Sequence, residues 1–351
     1  MSKTREHVLE WAYTLSQGVR STHYLTQYVA GTIFLGRRPS PEQAKELTPQ
    51  SEILKALWDL LRADARSIRD KAYRAPEKWI ESPSDFASMS FKAVVDLFKV
   101  KRREKAGKVV DLPERTGLPE LPRYYLQNFH FQTDGWLSDD SAAIYDHQVE
   151  VIFAGAAGAM RRQSLPLLND YLRENNLLGK TAELQVLDLA AGTGTFSVEL
   201  KRNFPDLHLT VSDLSPFYLR KAREKLARFA RSDFVEANAE TLPFKDAHFD
   251  VVVCVYLFHE LPRRVREIVM KEIHRVLKPG GLFIFVDSIQ LGDRPSFDPS
   301  LKYFPLHFHE PYYLDYISRP LLDFISPEQW QERETKLAFL SKIAAFEKKE
   351  T

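Results

Sequence analysis

The sequence predicts an α/β fold in which a mainly parallel sheet follows an α-helical N-terminal region. Between residues 184 and 286, apolar runs typical of buried strands alternate with helical patterns, as in sheets that are covered by helices on both faces. A turn with glycines at positions 192 and 194 joins the first of these runs to a helical pattern. Before these elements, apolar residues recur at helical spacing, which predicts several helices in the first hundred residues.

Helical periodicity begins near the N-terminus, where Val8, Trp11 and Leu15 fall on one face of a helix. Further helix starts are predicted at residues 40, 48 and 82, where a serine or threonine is followed by proline. The first hundred residues therefore form a helical region.

The helix predicted from residue 83 combines an apolar set with a basic end. Its apolar residues are Phe91, Val94, Val95 and Phe98, and its basic residues are Lys99, Lys101, Arg102, Arg103 and Lys105. Such a helix suits a membrane surface or an acidic partner. The alternative is a solvated helix end whose charges suit the helix dipole. We favour the alternative because Asp96 and Glu104 dilute the positive charge.

Residues 106–122 contain two glycines and three prolines, a composition typical of a linker. We therefore predict two regions: a helical region with its linker at residues 1–122, and a sheet-containing domain at residues 123–351. Aromatic, amide and imidazole side chains crowd residues 124–138. They either pack on the sheet edge or form a lid over a substrate, and the polar groups among the aromatics favour a lid.

Ligand-binding residues are expected where the strands end, because open α/β sheets bind ligands beyond the carboxyl ends of their strands. The first apolar run ends at Asp188 and Leu189, and the glycine turn after it lets backbone N–H groups approach a ligand closely. The second strand ends at Asp213, where nucleoside-binding sheets hold ribose hydroxyls. The third strand runs into Asn238, and the fourth ends shortly before Leu257.

In the order, spacing and residues of these motifs, the chain resembles the class I S-adenosylmethionine-dependent methyltransferases across residues 145–286. Within that family the likeness is to the type 11 group, which includes ubiquinone and menaquinone methyltransferases. The resemblance implies a Rossmann-like sheet with one antiparallel strand, supplied by the apolar tail at residues 337–346, and S-adenosylmethionine as cofactor. The residues that it places at the cofactor are Asp188, Ala190, Gly192, Gly194, Asp213, Leu214, Asn238, Ala239 and Leu257.

By position, the resemblance implies that Asp188 and the glycine turn line the methionine moiety, that Asp213 holds the ribose, and that Leu257 lies at the methyl-transfer end. The adenine would lie at Asn238. Two residues depart from the family pattern. Ala190 stands where glycine is usual, a change that is tolerated if its φ is negative. Asn238 stands where aspartate is common, and because an amide can donate as well as accept, we expect binding to survive with weaker affinity.

The competing interpretation of the glycine turn is a nicotinamide-binding fold. Its fingerprint requires a third glycine where this chain has Ser197. The Asn-Ala-Glu-Thr-Leu-Pro-Phe stretch at residues 238–244 has no role in that fold. The dehydrogenase interpretation is therefore disfavoured.

We expect methyl transfer to a small, apolar or aromatic acceptor, on carbon or oxygen. The cofactor's sulfonium makes the methyl group electrophilic, so the enzyme mainly aligns the reactants and excludes water, and some acceptors also need a base. His259, just beyond the fourth strand, is the first candidate for that base. Further candidates are Tyr125, His130 and His309. Residues 124–138 and 303–313, which supply the last three, are expected to meet over the methyl group and form the acceptor pocket.

Two other classes of function stay open: a binding protein that kept the fold without the chemistry, and a methyltransferase that acts on protein or nucleic acid. The intact glycine turn and Asp213 argue against the first class. The formal net charge of +1 weakens the nucleic-acid version of the second. Histidines at positions 307 and 309 suggest metal ligands, but the prolines on either side make a regular strand doubtful, and no metal site is predicted.

Composition bears on the compartment. Cys254 is the single cysteine, which excludes an intramolecular disulfide, and it lies within an apolar run that predicts a buried thiol. No stretch reaches the ~18 apolar residues that a membrane span needs. The N-terminus lacks the apolar core of a secretory signal. We expect a cytoplasmic protein, with peripheral membrane association and the oligomeric state left open.

Overall fold

A seven-stranded sheet lies at the centre of the computed structural model, which describes residues 3–107, 110–113 and 121–350. The strands are β1 (Gln185–Leu189), β2 (His208–Asp213), β3 (Ser232–Glu236), β4 (Phe249–Val255), β5 (Leu277–Ser288), β6 (Trp330–Ala338) and β7 (Ser341–Lys348). Their order across the sheet is β3-β2-β1-β4-β5-β7-β6. The strands β1 to β5 pair in parallel, and β7 runs antiparallel to both of its neighbours. The predicted fold, a mostly parallel sheet with one antiparallel strand, is confirmed.

Helices precede the sheet and connect its strands. In the described part of the chain they are α1 (Lys3–Leu35), α2 (Pro41–Glu46), α3 (Gln50–Arg69), α4 (Pro83–Lys105), α5 (Asp139–Ile152), α6 (Ala157–Arg162), α7 (Leu165–Glu174), α8 (Thr195–Asn203), α9 (Pro216–Leu226), α10 (Arg263–Val276), α11 (Asp298–His307) and α12 (Tyr313–Ile317). The helical N-terminal region that the apolar spacing predicts is therefore present.

The central strands β1 and β4 are buried along almost their whole length. The side chains of Val186, Leu187 and Leu189 and of residues 251–254 are at most 1% exposed. A parallel strand that is covered on both faces needs apolar residues at every position, which is why these strands form continuous apolar runs and not alternating ones. Cys254 lies within this core, so its thiol is buried as expected.

The apolar tail at residues 337–346 spans the turn of a hairpin. It contains the end of β6 and most of β7, which explains why its periodicity fits neither one strand nor one helix. Strand β7 is the antiparallel strand that the resemblance implies. The edge strand β6 is not predicted by the sequence, because Glu332 and Glu334 place charges where an edge strand meets solvent.

The N-terminal helices share the core of the sheet. Leu57, Leu60 and Leu61 of α3 belong to the same apolar cluster as the central strands. A buried carboxylate also joins three helical segments, since Asp64 accepts hydrogen bonds from Tyr13 at 2.7 Å and from Arg162 at 2.6 Å. The boundary at residue 122 stays a prediction, and residues 108–109 and 114–120 of the predicted linker lie outside the described residues.

The apolar faces that predict α1 and α4 are exposed, not buried. Trp11 and Leu15 of α1 are both more than half exposed, as are Phe91 and Phe98 of α4. Periodicity therefore identifies both helices correctly but does not show which face meets the core. None of the helices in the described ranges has the length and apolar content to cross a bilayer.

Candidate active site

A cavity opens beyond the carboxyl ends of β1, β2 and β4, where ligands of open α/β sheets bind. Eight of the nine residues that the sequence places at a cofactor line it. They are Asp188, Ala190, Gly192, Asp213, Leu214, Asn238, Ala239 and Leu257. These residues come together because each follows or ends a strand of the same parallel set.

Asp213, at the end of β2, joins the glycine turn to the start of α9. Its carboxylate accepts hydrogen bonds from the backbone N–H of Gly192 at 2.7 Å and of Ser215 at 2.8 Å. Burial raises the pKa of Asp213 to about 6, although these backbone donors oppose the shift. The side chain is therefore held in place before any ligand arrives.

The two glycines of the turn have different roles. Gly192 has a φ of +58°, and a Cβ atom built on it would meet nothing within 4 Å, so its backbone is open to a ligand. Gly194 also has a positive φ, but a Cβ there would lie 2.7 Å from the Cβ of Ala222 on α9. Gly194 does not line the cavity, so its predicted place at the cofactor stays a prediction that the geometry does not support. Its glycine allows the start of α8 to pack closely on α9.

Ala190 lines the cavity but does not have the negative φ on which its tolerance was argued. Its φ is +54°, in the left-handed region that glycine adopts readily. A residue with a Cβ atom is disfavoured there by about 1 to 2 kcal/mol. The departure from glycine at this position therefore leaves local backbone strain beside the cavity.

Asp188 offers the cavity an acceptor that the protein leaves unpaired. Its Oδ2 atom accepts a hydrogen bond from the hydroxyl of Ser197 at 2.5 Å. Its Oδ1 atom is buried and has no hydrogen-bond partner among the described residues. Burial raises the pKa of Asp188 to about 7, because few groups around it compensate a charge. An unpaired buried acceptor of this kind indicates a missing donor.

The glycine turn is also tied to α5 through Asp146. The carboxylate of Asp146 accepts hydrogen bonds from the hydroxyls of Thr193 at 2.7 Å and Thr195 at 2.8 Å, and from the ammonium group of Lys225 at 2.5 Å. Asp146 and both threonines line the cavity. This set was not predicted from the sequence. Residues 145–146 lie at the start of the stretch that resembles the methyltransferases, but no role was assigned to Asp146.

Aromatic side chains form one wall of the cavity. Its members are Tyr124, Tyr125, Trp136, Tyr145, Tyr218 and Tyr256. The hydroxyl of Tyr124 donates to the carboxylate of Glu240 at 2.8 Å, which fastens the segment at residues 124–138 across the end of β3. This segment therefore lies where a lid would, and its candidate catalytic residue Tyr125 lines the cavity.

His130 and His309 do not line the cavity. His309 Nε2 lies 2.8 Å from the side-chain oxygen of Gln127, and His130 Nε2 lies 2.9 Å from Glu310 Oε1. The segments at residues 124–138 and 303–313 meet, as expected, but only the first reaches the cavity. The side chain of residue 307 is not among those described. The geometry therefore gives no support to the placement of His130 and His309 at the reacting groups, which stays a prediction.

The side chain of His259 does not line the cavity. Its Nδ1 atom lies 2.6 Å from Oδ1 of Asp287, which is buried at the end of β5. Burial lowers the pKa of His259, but the Asp287 carboxylate outweighs burial and raises it to about 10. The raised pKa favours the protonated ring at neutral pH, which is not the form that accepts a proton. Neither its position nor its raised pKa supports the predicted role as the base, which stays a prediction.

The neighbouring Glu260 reaches the cavity instead. Burial raises the pKa of Glu260 well above its usual range, although the charge of His259 opposes the shift. Glu260 Oε1 lies 3.9 Å from His259 Nε2. Glu260 was not predicted as a site residue. The one indication in the sequence is its position directly after His259, just beyond the fourth strand.

Comparisons with known proteins agree with this geometry. Residues 186–281 match the family model of the methyltransferase domain. The ubiquinone/menaquinone biosynthesis C-methyltransferase UbiE of Methylobacterium nodulans is 37% identical over 122 residues, 34% of this chain and 47% of that protein. The demethylmenaquinone methyltransferase of Deinococcus radiodurans is 38% identical over 104 residues, 29% of this chain and 42% of that protein. The chain thus spans less than half the length of these relatives.

A solved structure of a SAM-dependent methyltransferase from Methanosarcina mazei is 18% identical, with a TM-score of 0.42, and covers 53% of this chain and 98% of that one. A likeness at this score supports no conclusion about function. The family assignment rests on the domain match at residues 186–281 and on the curated relatives.

The residues at the cavity fit the cofactor of this family. The unpaired Oδ1 of Asp188 suits a positively charged donor such as the ammonium group of its methionine moiety. The open space above Gly192 admits a ligand against the backbone, and Asp213 lies at the strand end where ribose hydroxyls bind. The chain therefore contains a methyltransferase domain of the class I family, whose cofactor is S-adenosylmethionine.

Proposed function

We propose that this chain transfers a methyl group from S-adenosylmethionine to a small apolar or aromatic molecule, on carbon or oxygen. The observation that carries the proposal is the aromatic wall of the cavity, which stands next to the carboxylates and the glycine turn that suit the cofactor. Apolar walls with a few polar groups are the usual lining of small-molecule sites. A protein or nucleic-acid acceptor would instead need an open groove.

The curated relatives support an aromatic acceptor. Their names assign methylation in ubiquinone and menaquinone biosynthesis to those proteins. Because the match covers less than half of each relative, the acceptor of this chain is inferred from its own cavity. Tyr145 and Tyr256 offer flat apolar surfaces for a ring, and Arg161, whose guanidinium lies 5.5 Å from the centre of the Tyr256 ring, supplies a positive charge at the same wall.

Glu260 is the group best placed to accept a proton from the acceptor. It lines the cavity, and no hydrogen bond to its carboxyl group is found among the described residues. Its raised pKa favours the protonated form in the free protein, and once ionised the carboxylate is a stronger base than an ordinary glutamate. The positive charge of the bound cofactor favours the ionised form, which is the form that accepts a proton. His259 and Asp287 act behind it as positioning residues.

Labelled methyl transfer tests this proposal. The pure protein is incubated with methyl-labelled S-adenosylmethionine and fractionated small-molecule extract, and labelled products are identified by mass spectrometry. Glu260→Gln should lower turnover by roughly 100-fold or more, the usual contribution of a positioned acid or base. Affinity for S-adenosylhomocysteine should change less than about tenfold. Glu267→Gln, an exposed glutamate on α10, is the matched control.

Two results would count against the proposal. Label that appears only on protein would replace the small acceptor with a protein. Full activity of Glu260→Gln on an acceptor that must lose a proton would remove Glu260 from the reaction while leaving methyl transfer itself intact.

A further inference from the structure

Two helices of the N-terminal region carry long apolar stripes that nothing in the described chain covers. On α1 the exposed apolar side chains are Val8, Leu9, Trp11, Leu15, Val19, Val29 and Ile33, and on α4 they are Phe91, Val94, Val95 and Phe98. Trp11 is 55% exposed, Phe91 71% and Phe98 60%. Large exposed apolar patches mark interaction sites. We call these two stripes together the α1–α4 face.

The two stripes belong to neighbouring helices. Both helices pack against α5, and the C-terminal half of α1 also contacts α4. The side chain of Gln27 donates to the hydroxyl of Ser90 at 3.0 Å, and the rings of Phe34 and Phe98 lie 4.8 Å apart. The stripe of α1 from residue 8 to residue 33 is about 38 Å long. Val29 and Ile33 of α1 therefore lie on the part of that helix that adjoins α4, whereas Val8 to Val19 lie further along α1, beyond the exposed Thr22 and Thr26.

Most of the exposed charges on α4 are basic, and its one exposed acidic side chain, Asp85, pairs with Lys78 at 2.9 Å. The exposed charged side chains of residues 86–107 are Lys92, Lys99, Lys101, Arg102 and Lys105. The acidic side chains of the same segment point inward: Asp96 accepts from Gln148 at 2.8 Å, and Glu104 pairs with Arg37. On α1, Glu10 pairs with Arg69 at 2.7 Å.

These contacts remove the reason for which the sequence favours a solvated helix end over a membrane-binding one. Asp96 and Glu104 were expected to dilute the basic charge, but Asp96 is buried and Glu104 forms an ion pair with Arg37. The lysines of α4 therefore remain on its outer surface, and these two carboxylates do not neutralise them there. An apolar centre with a basic border is the arrangement of helices that lie in the interface of an anionic membrane.

We propose that the α1–α4 face binds the surface of a bilayer that contains anionic lipids, with the apolar stripes among the acyl chains and the lysines at the headgroups. A second copy of the chain fits the face less well. Packing α4 against its own copy would bring the basic residues of both helices together, and the exposed acidic side chain of α4, Asp85, already pairs with Lys78. The proposal does not depend on the chemistry of the cavity.

Vesicle binding of the full chain tests the proposal. Vesicles of phosphatidylcholine mixed with phosphatidylglycerol are compared with vesicles of phosphatidylcholine alone, by sedimentation. The protein should bind the anionic vesicles, and salt should weaken the binding. Quenching of tryptophan emission by brominated acyl chains should occur in the wild type and fall in Trp11→Phe, since Trp11 lies within the face.

Two pairs of substitutions separate the apolar and the charged contributions. Phe91→Ser with Val95→Ser should lower vesicle affinity at least about tenfold, and Leu178→Ser with Leu314→Ser, exposed apolar residues elsewhere, should not. Lys99→Glu with Lys105→Glu should lower affinity for anionic vesicles by more than about tenfold. Its matched control is Lys245→Glu with Lys271→Glu, exposed lysines of the sheet domain.

All of these substituted side chains are exposed, so circular dichroism should show an unchanged fold. Absence of vesicle binding by the wild type overturns the proposal. So does a dimer in solution that Phe91→Ser with Val95→Ser converts to a monomer, because a second copy would then occupy the face.

Discussion

Nδ1 of His259 lies 2.6 Å from Oδ1 of Asp287, and this contact decides what the residues after β4 can do. The same Asp287 carboxylate accepts the backbone N–H of Phe258 at 2.7 Å. Both bonds hold the short 3₁₀ segment Phe258–Glu260 against the end of β5. These contacts hold the imidazole of His259 beside Asp287, which favours its protonated form. Of the two neighbouring side chains, that of Glu260 lines the cavity.

His259 should titrate far above the ordinary histidine range. Its pKa in the folded protein is raised to about 10, so its contribution to stability is fully present below the unfolded pKa of about 6.5 and is lost as pH rises through about 10. Ring resonances followed by NMR should show protonated His259 at neutral pH. In Asp287→Asn the pKa should fall, because burial then acts without the neighbouring carboxylate. Titration of wild-type His259 near its ordinary value would contradict this account and restore His259 as a candidate base.

The two glycines of the turn should respond differently to the same substitution. Both have positive φ, so Ala at either position carries a similar backbone cost of about 1 to 2 kcal/mol. Gly194→Ala adds an overlap with Ala222, which should cost about 1 to 3 kcal/mol more in the free energy of unfolding. Gly192→Ala should instead weaken cofactor binding. Denaturant unfolding and calorimetry measure the two effects, and equal stability losses would contradict the separate roles.

Cofactor binding should release protons in mildly acidic solution. Burial raises the pKa of Asp188 to about 7 and of Asp213 to about 6. Because both folded values lie above the unfolded value near 3.9, the free protein loses stability as pH rises from about 4 to 7. A cofactor that carries an ammonium group favours the ionised carboxylate of Asp188, so affinity should rise across the same range.

Calorimetry near pH 6.5 in two buffers of different ionisation enthalpy measures the released protons. Asp188→Asn should reduce the release, and the exposed Asp233→Asn should leave it unchanged. A wild-type titration with no proton exchange would show that these carboxylates are already ionised in the free protein.

The cofactor side of the cavity was predictable because its signals are local. Asp188, Asp213 and Asn238 each follow an apolar strand, and the carboxyl ends of parallel strands meet at one edge. Gly194 was grouped with Gly192 because sequence spacing does not distinguish a glycine that admits a ligand from one that admits another helix. Only the position of Ala222 on α9 separates the two cases.

The acceptor side was less predictable because it depends on contacts between distant residues. Asp287 lies 28 positions after His259, and its contact with the imidazole does not follow from any local sequence pattern. The exposed faces of α1 and α4 illustrate the same limit, since periodicity shows that a helix has an apolar face without showing what covers it. The positive φ of Ala190 likewise follows from the geometry of the turn and not from its residue type.

Calorimetric titration with S-adenosylhomocysteine tests the central claim, that the cavity beyond β1, β2 and β4 holds the cofactor of a methyltransferase. The account predicts saturable binding to the wild type, no binding of NAD, and a loss of about 1.5 to 3 kcal/mol in Asp213→Ala, the cost of removing hydrogen bonds to a charged acceptor. Tight NAD binding with no response to S-adenosylhomocysteine would contradict it.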